Sequence, residues 1–204
     1  MSQPAPTKIR YRVLAYACTL SMITYLDRVC FGAAASELAK ELSLSGVSDL
    51  KWAFTAFTIS YAIFEIPSGW LGDKLGPRGT LIRIVIWWSF FTALTGLIGY
   101  RVSGLVLGGV GTLYVLRFLF GAGEAGAYPN ITRALHNWFP ARDRAMAQGF
   151  VWMSGRLMGG LTPFLWMLLV SGTQFSAPLT TWRGAFLIFG IIGLLWCLWF
   201  AVGF

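Results

Sequence analysis

Gly69-Trp70-Leu71-Gly72-Asp73-Lys74-Leu75-Gly76-Pro77-Arg78-Gly79 is a short polar turn between two long apolar runs. The run before it extends from about Lys51 to Leu71, and the run after it from about Thr80 to Gly99. Each is close to the ~20 residues a helix needs to cross the hydrocarbon core of a bilayer. Gly69, Gly72 and Gly76 permit a tight turn and a close approach of the two helices. Asp73 is placed to accept from helix N-terminal amides or from a cation, while Lys74 and Arg78 add positive charge. The stretch therefore reads as a loop joining two membrane spans.

Four further runs follow the same pattern: about Tyr11 to Ala35, Gly108 to Ile131, Ala145 to Val170 and Trp182 to Phe204. Six spans of ~20 residues account for ~120 positions, leaving short connections in a chain of 204. These connections are a polar segment (Ser36 to Leu50), a Gly-rich link (Tyr100 to Gly108), a basic loop (Thr132 to Arg144) and a Ser/Thr/Pro loop (Ser171 to Thr181). Composition agrees. Hydrophobic residues are 56% and charged residues 12%, and mean hydropathy is +0.65, too few charges to cover a soluble protein. Glycine, at 24 residues, fits close helix packing in lipid. Period-two alternation bounded by turns is absent, which argues against a β-barrel. The expected architecture is all-α and integral to the membrane, a six-span bundle over residues 11–204. Residues 1–10 (MSQPAPTKIR), polar and with two prolines, are expected to be a disordered cytoplasmic leader. A cleavable signal ending at Ala33-Ala34-Ala35 is disfavoured because Asp27 and Arg28 precede that site. The aromatic residues, ten of them Trp, are expected at lipid-facing and interfacial positions.

Lys8, Arg10, Arg12, Lys74, Arg78, Arg83, Arg133, Arg142 and Arg144 fall on one side of this topology. Lys40, Lys51, Arg101 and Arg183 fall on the other. The richer side is expected to be cytoplasmic, with both termini there and the chain in a cell membrane, a bacterial inner membrane. The net charge of +8 lies in these clusters and forms no basic face, so nucleic acid is not an expected partner. Cys18, Cys30 and Cys197 lie in apolar runs and read as small buried hydrophobes. With His136 as the single histidine, no metal site and no cofactor are expected. An intramembrane serine protease would need a histidine at membrane depth, whereas His136 is in the basic loop, so no enzyme is expected.

Six ionisable residues fall inside spans and away from their ends: Asp27, Arg28, Glu65, Arg117, Glu124 and Arg156. A central Arg or Asp costs about 2.5–3.5 kcal/mol to insert, so these residues are expected to face the bundle interior and mark a substrate or ion path. Arg117 and Glu124 are seven apart, two turns on one face, with Gly121 between them and Tyr128 beyond. They are expected to pair. Tyr61 and Glu65 are i, i+4 neighbours. Glu65 also lies near Pro67 at the helix end, where it can reach water.

The loop signature Gly69, Gly72, Asp73, Gly76 and Arg78 resembles the G-x-L-x-D-x-x-G-x-[RK] loop of the major facilitator superfamily. Arg117-Phe118-Leu119-Phe120-Gly121-Ala122-Gly123 resembles the R-x-x-x-G-x-G motif of its proton-coupled members. Tyr25-Leu26-Asp27-Arg28, the run Tyr61 to Trp70 and Gly121 to Asn130 (GAGEAGAYPN) resemble the anion:cation symporters of that superfamily. The resemblance covers nearly the whole chain and implies the N-terminal six-helix half of a twelve-span transporter. It implies proton-coupled uptake of an organic anion, a sugar acid or another carboxylate. Arg28 would anchor the anion, Asp27 and Glu124 would carry protons, and Arg117 would partner Glu124. Tyr25, Tyr61, Glu65 and Arg156 would line the substrate cavity. Glu65 stands where Gln is common and Arg156 where subgroups vary, so the substrate stays open. The span-five antiporter motif is absent, Gly159-Gly160-Leu161-Thr162-Pro163 having a different order, which favours symport. The implied partners are a small organic anion, a proton, the lipid bilayer and a C-terminal six-helix half. The chain stops at Phe204 at the end of its sixth span, so truncation is the expectation. A six-span channel or an inactive structural fragment is the alternative.

Overall fold

The computed structural model describes residues 8–102, 105–172 and 177–203. Most of the expected leader, residues 1–7, lies outside the described residues. Arg10 does not belong to a leader: α1 already runs over Ile9–Ala33. It is followed by α2 (Ala35–Glu41), a 3-10 turn (Val47–Leu50), α3 (Lys51–Leu75) and α4 (Pro77–Thr95). After these come a two-stranded antiparallel hairpin, β1 (Tyr100–Val102) and β2 (Leu105–Leu107), then α5 (Val110–Glu124), α6 (Ala127–Trp138), α7 (Ala141–Trp166) and α8 (Trp182–Gly203). By length and composition alone α1, α7 with its terminal turn, and α8 are each long and apolar enough to cross a membrane. Helix α3 carries Glu65, Asp73 and Lys74, α4 spans only 19 residues, and α5 only 15.

The expected fourth span is two helices, not one. Pro129 has no amide hydrogen to donate to the carbonyl four residues back at Ala125, so the helix breaks there. Ala125 and Gly126 form the joint between α5 and α6. The expected basic loop is therefore mostly helix, since α6 continues to Trp138 and α7 starts at Ala141. The Gly-rich link also departs from expectation by pairing as the hairpin, with Tyr100 opposite Leu107. In α7, Pro163 interrupts the bonding ladder and a π turn follows at Met167–Ser171.

α1 packs along α7, α3 along α5, and α4 along α8 and α5, with α6 wedged between α1, α3, α4 and α7. Two apolar cores result. One holds Leu20, Val85, Trp88, Phe120, Ile131 and Val151; the other holds Phe31, Leu38, Leu50, Leu113, Trp166 and Phe186. Trp88, Trp166 and Trp196 are buried, against the lipid-facing expectation, while Trp52, Trp70, Trp87 and Trp199 are exposed in keeping with it. Cys30 and Cys197 are buried and Cys18 is half-buried.

One end of the bundle is tied by arginines. Arg10 meets Asp143 at 3.1 Å, Arg133 meets Asp73 at 3.4 Å, and Arg78 and Arg12 donate to the carbonyls of Ala201 and Gly203 at 2.8 and 3.3 Å. These last two satisfy carbonyls that a helix C-terminus leaves open. At the opposite end Arg183 bonds Glu41 at 2.9 Å and donates to the carbonyls of Ile98 (2.6 Å) and Gly96 (3.3 Å). Residues sorted to one side by sequence thus meet at one end.

Candidate functional site

The expected loop is mostly helix: residues 69–75 end α3, residues 77–79 begin α4, and Gly76 alone joins them. Gly76 has φ +82°, a left-handed conformation that favours glycine. Gly72 lies directly under Asn130 of α6, where a Cβ would overlap the carboxamide. That carboxamide donates to the carbonyls of Gly126 (2.7 Å) and Ser68 (3.3 Å), clamping α6 onto α3 just past the joint. Gly69 packs against Pro129. Asp73 takes the cation Arg133 rather than helix amides, and Arg78 caps α8.

The intraspan charges gather where α1, α3 and α5 meet. Glu124 closes α5 and is fully buried. Its partner is Arg28 of α1, whose Nε donates to both Oε1 and Oε2 at 3.0 Å. The expected Arg117–Glu124 pair is not the ion pair formed. Two turns along one helix leave those groups about 10.5 Å apart along the axis, and Arg28 reaches across from α1 instead. The Arg117 guanidinium, 3% exposed as a residue, sits in an aromatic cage, 4.1 Å from the ring centre of Phe31, 4.5 Å from Phe120 and 5.0 Å from Phe57. It stays within electrostatic reach of Asp27 and Glu124, and its Nε has no hydrogen-bond partner.

Asp27 is buried and neither carboxylate oxygen has a hydrogen-bond partner. The indole of Trp88 on α4 is near enough to act on it, yet Trp88 Nε1 is itself without a partner. Arg28 faces the rings of Tyr61 (4.6 Å), Phe57 (5.4 Å) and Tyr25 (5.9 Å). One of its terminal nitrogens is buried and unpartnered. The structure therefore joins Asp27, Arg28, Arg117, Glu124, Tyr25 and Tyr61 in one cluster. Glu65 is half-buried one turn beyond Tyr61. Arg156 is exposed on α7, 5.8 Å from the ring of Trp152, and it is not in contact with the buried ion pair.

Reasoning on charges alone missed Trp88 and the cage of Phe31, Phe57 and Phe120. Spacing carried a signal for the cage: Phe31 is four residues from Asp27, Phe57 four from Tyr61, and Phe120 three from Arg117, all same-face separations. A buried anion–cation pair beside an unpartnered acid, with an aromatic wall, can exchange protons and hold an anion. It offers no nucleophile–base arrangement. Ser154, the serine weighed for such a role, donates to the carbonyls of Val151 (2.8 Å) and Cys18 (3.2 Å).

The Major Facilitator Superfamily model matches residues 17–203. The chain is 37% identical over 197 residues to the "Probable sulfoacetate transporter SauU" of Cupriavidus necator, covering 97% of this chain and 42% of that protein. It is 31% identical over 198 residues to the "D-galactonate transporter" of Escherichia coli, again covering 97% of this chain and 42% of that protein. Among solved structures, a bacterial homolog of the human lysosomal transporter Spinster, inward-facing and unoccupied, superposes with a TM-score of 0.78 at 24% identity. That match covers 100% of this chain and 44% of the other. The chain thus spans less than half the length of these relatives. It belongs to the major facilitator superfamily, as a multi-pass membrane protein with the six-helix half-fold of that family, and it is not an enzyme.

Proposed function

We propose that this member of the major facilitator superfamily carries a small organic anion, a sugar acid or another carboxylate, into the cell in symport with protons. The observation that supports the reading best is the Arg28 Nε held 3.0 Å from both oxygens of the fully buried Glu124. An ion pair taken out of water is costly even when well paired, and ionisable residues kept at membrane depth mark substrate or ion paths. While Glu124 is ionised it occupies Arg28. A proton on a Glu124 oxygen removes the negative charge and releases the guanidinium. Its planar donor fork then takes the substrate carboxylate in two parallel hydrogen bonds. The buried unpartnered nitrogen of Arg28 is a donor left for that purpose. Asp27 is the second proton carrier, and Arg117 offsets the negative charge around both acids. Tyr25 and Tyr61 wall the anion site, and Glu65 and Arg156 lie at its margin.

Proton and anion each favour the binding of the other, and this coupling is reciprocal. The relatives' printed names, a sulfoacetate and a D-galactonate transporter, support an anionic substrate. Their greater length supports a second six-helix half, against which this one rocks to expose the site alternately to each side. The basic end of the bundle, with Asp73 and Arg133, is the cytoplasmic end, both termini lie there, and the membrane is a cell membrane.

The test is counterflow and gradient-driven uptake of radiolabelled organic acids by the intact protein in proteoliposomes. Glu124→Gln should keep anion exchange and lose accumulation driven by a proton gradient. Proton-driven accumulation by that variant at the wild-type level overturns the coupling role.

A further inference from the structure

Near the middle of the 26-residue α7, Arg156 exposes its guanidinium, and no ion pair or hydrogen bond to it occurs among the described residues. A bare cation at that depth is costly against acyl chains and is retained where it faces a wet cavity. Its neighbours show which way it turns. Trp152, one turn earlier on the same face, lies flat on Tyr128 of α6, with ring centres 4.4 Å apart and planes 3° from parallel. Tyr128 shares a 2.9 Å hydrogen bond with Ser21 of α1. Gly155 and Gly159, either side of Arg156, rest against the ring of Tyr25. The other neighbour of that ring is the Arg28 guanidinium, 5.9 Å from its centre. Tyr25 is therefore bracketed by Arg28 on its own helix and by the α7 segment that carries Arg156.

Glu124 matches Arg28, and Arg117 has Asp27 within electrostatic reach. Of the six intraspan charges this leaves Glu65 on α3 and Arg156, a cation with no acid paired to it among the described residues. We propose that the substrate is a small dianion, with one acid group on Arg28 and the second on Arg156. Tyr25 and Trp152 form the wall between them, and Trp152, fixed by its stack on Tyr128, acts as a positioning residue for the Arg156 end. This rests on the anion-transport reading above and narrows its substrate class. A monoanion engages one guanidinium only and leaves the other without a counter-charge. A dianion gains a second charge-assisted pair, which raises its affinity about tenfold or more.

The experiment is isothermal titration of the intact protein in lipid nanodiscs with two matched pairs. Galactarate and D-galactonate share a carbon skeleton and differ in one terminal carboxylate; sulfoacetate and glycolate differ in the sulfonate. The expected result is that the dianion of at least one pair binds about tenfold tighter or more than its monoanion. Arg156→Gln should then bring the dianion down to the monoanion's affinity and leave the monoanion unchanged. Arg156→Lys should keep part of the preference, a point charge replacing the fork. Trp152→Ala should reduce the preference and Trp152→Phe restore it. Because Arg156 is exposed, the thermal midpoint of its variants should match wild type. Equal affinity within both pairs overturns the dianion assignment, as does an Arg156→Gln variant that weakens mono- and dianions alike. Failure of the wild type to bind any of the four acids overturns the anion reading itself and this proposal with it, so the two failures are told apart.

Discussion

Arg28 reaches from α1 across to Glu124 at the last residue of α5, its Nε equidistant at 3.0 Å from both carboxylate oxygens. One side-chain pair therefore links the first helix to the joint where α5 stops. Arg28→Lys keeps the charge but loses the planar fork. Anion affinity should fall about tenfold, one charge-assisted hydrogen bond being worth ~1.5–3 kcal/mol. Titration of the variant checks this, and unchanged affinity removes Arg28 as the anchor.

The proposed coupling has a definite sign with pH. Substrate binds the form in which Glu124 carries a proton, so binding takes up a proton from solution. Apparent affinity should rise as pH falls, with a limiting slope of about one decade per pH unit per coupled proton. In Glu124→Gln the slope should shrink by that one proton. Titrations in buffers of different ionisation enthalpy count the protons taken up, and an unchanged count in the variant contradicts the assignment.

Asp27 buries two carboxylate oxygens without a hydrogen-bond partner. A buried unsatisfied group costs about 1–3 kcal/mol, more when charged. Asp27→Asn removes the charge with almost no change of shape, and Asp27→Leu removes the polar group. Both should melt at a higher temperature than wild type while losing proton-driven accumulation. A lower midpoint for both would show the carboxylate to be a structural support.

Gly72 has the Asn130 carboxamide where its side chain would be. Gly72→Ala should force α3 and α6 apart at a cost of about 1–3 kcal/mol, visible as a lower melting midpoint. By contrast Asp73 and Arg133 are 59% and 48% exposed. Asp73→Asn should therefore shift stability by less than ~1 kcal/mol, so a large loss of transport in that variant would be conformational in origin.

The runs of apolar residues and the joint at Gly76-Pro77 made the rods and their order legible, because hydrophobic length and glycine-proline punctuation are local properties. The cluster of Asp27, Arg28, Arg117 and Glu124 was legible as well, since charges at membrane depth are few and have to converge. Which cation meets which anion was not. Intrahelical spacing points Arg117 at Glu124, whereas the pair formed depends on the angle and height at which α1 crosses α5, a tertiary quantity. The break before α6 had a written cause in Pro129, but the apolar run across it hid the interruption. The partnering of Trp152 with Tyr128 depends on how α7 is rotated against α6. Hydropathy, which scores the two rings singly, carries no trace of that rotation.

Helix α8 is bolted at both ends, by Arg78 and Arg12 on the carbonyls of Ala201 and Gly203 and by Arg183 on those of Gly96 and Ile98. It shares a long seam with α4. These two rods therefore tilt as a single plank. Any swing of the half-bundle in the proposed cycle has to be absorbed elsewhere, where the hydrogen-bond ladder lacks a rung, as at the joint of Ala125 and Gly126 and at Pro163 of α7.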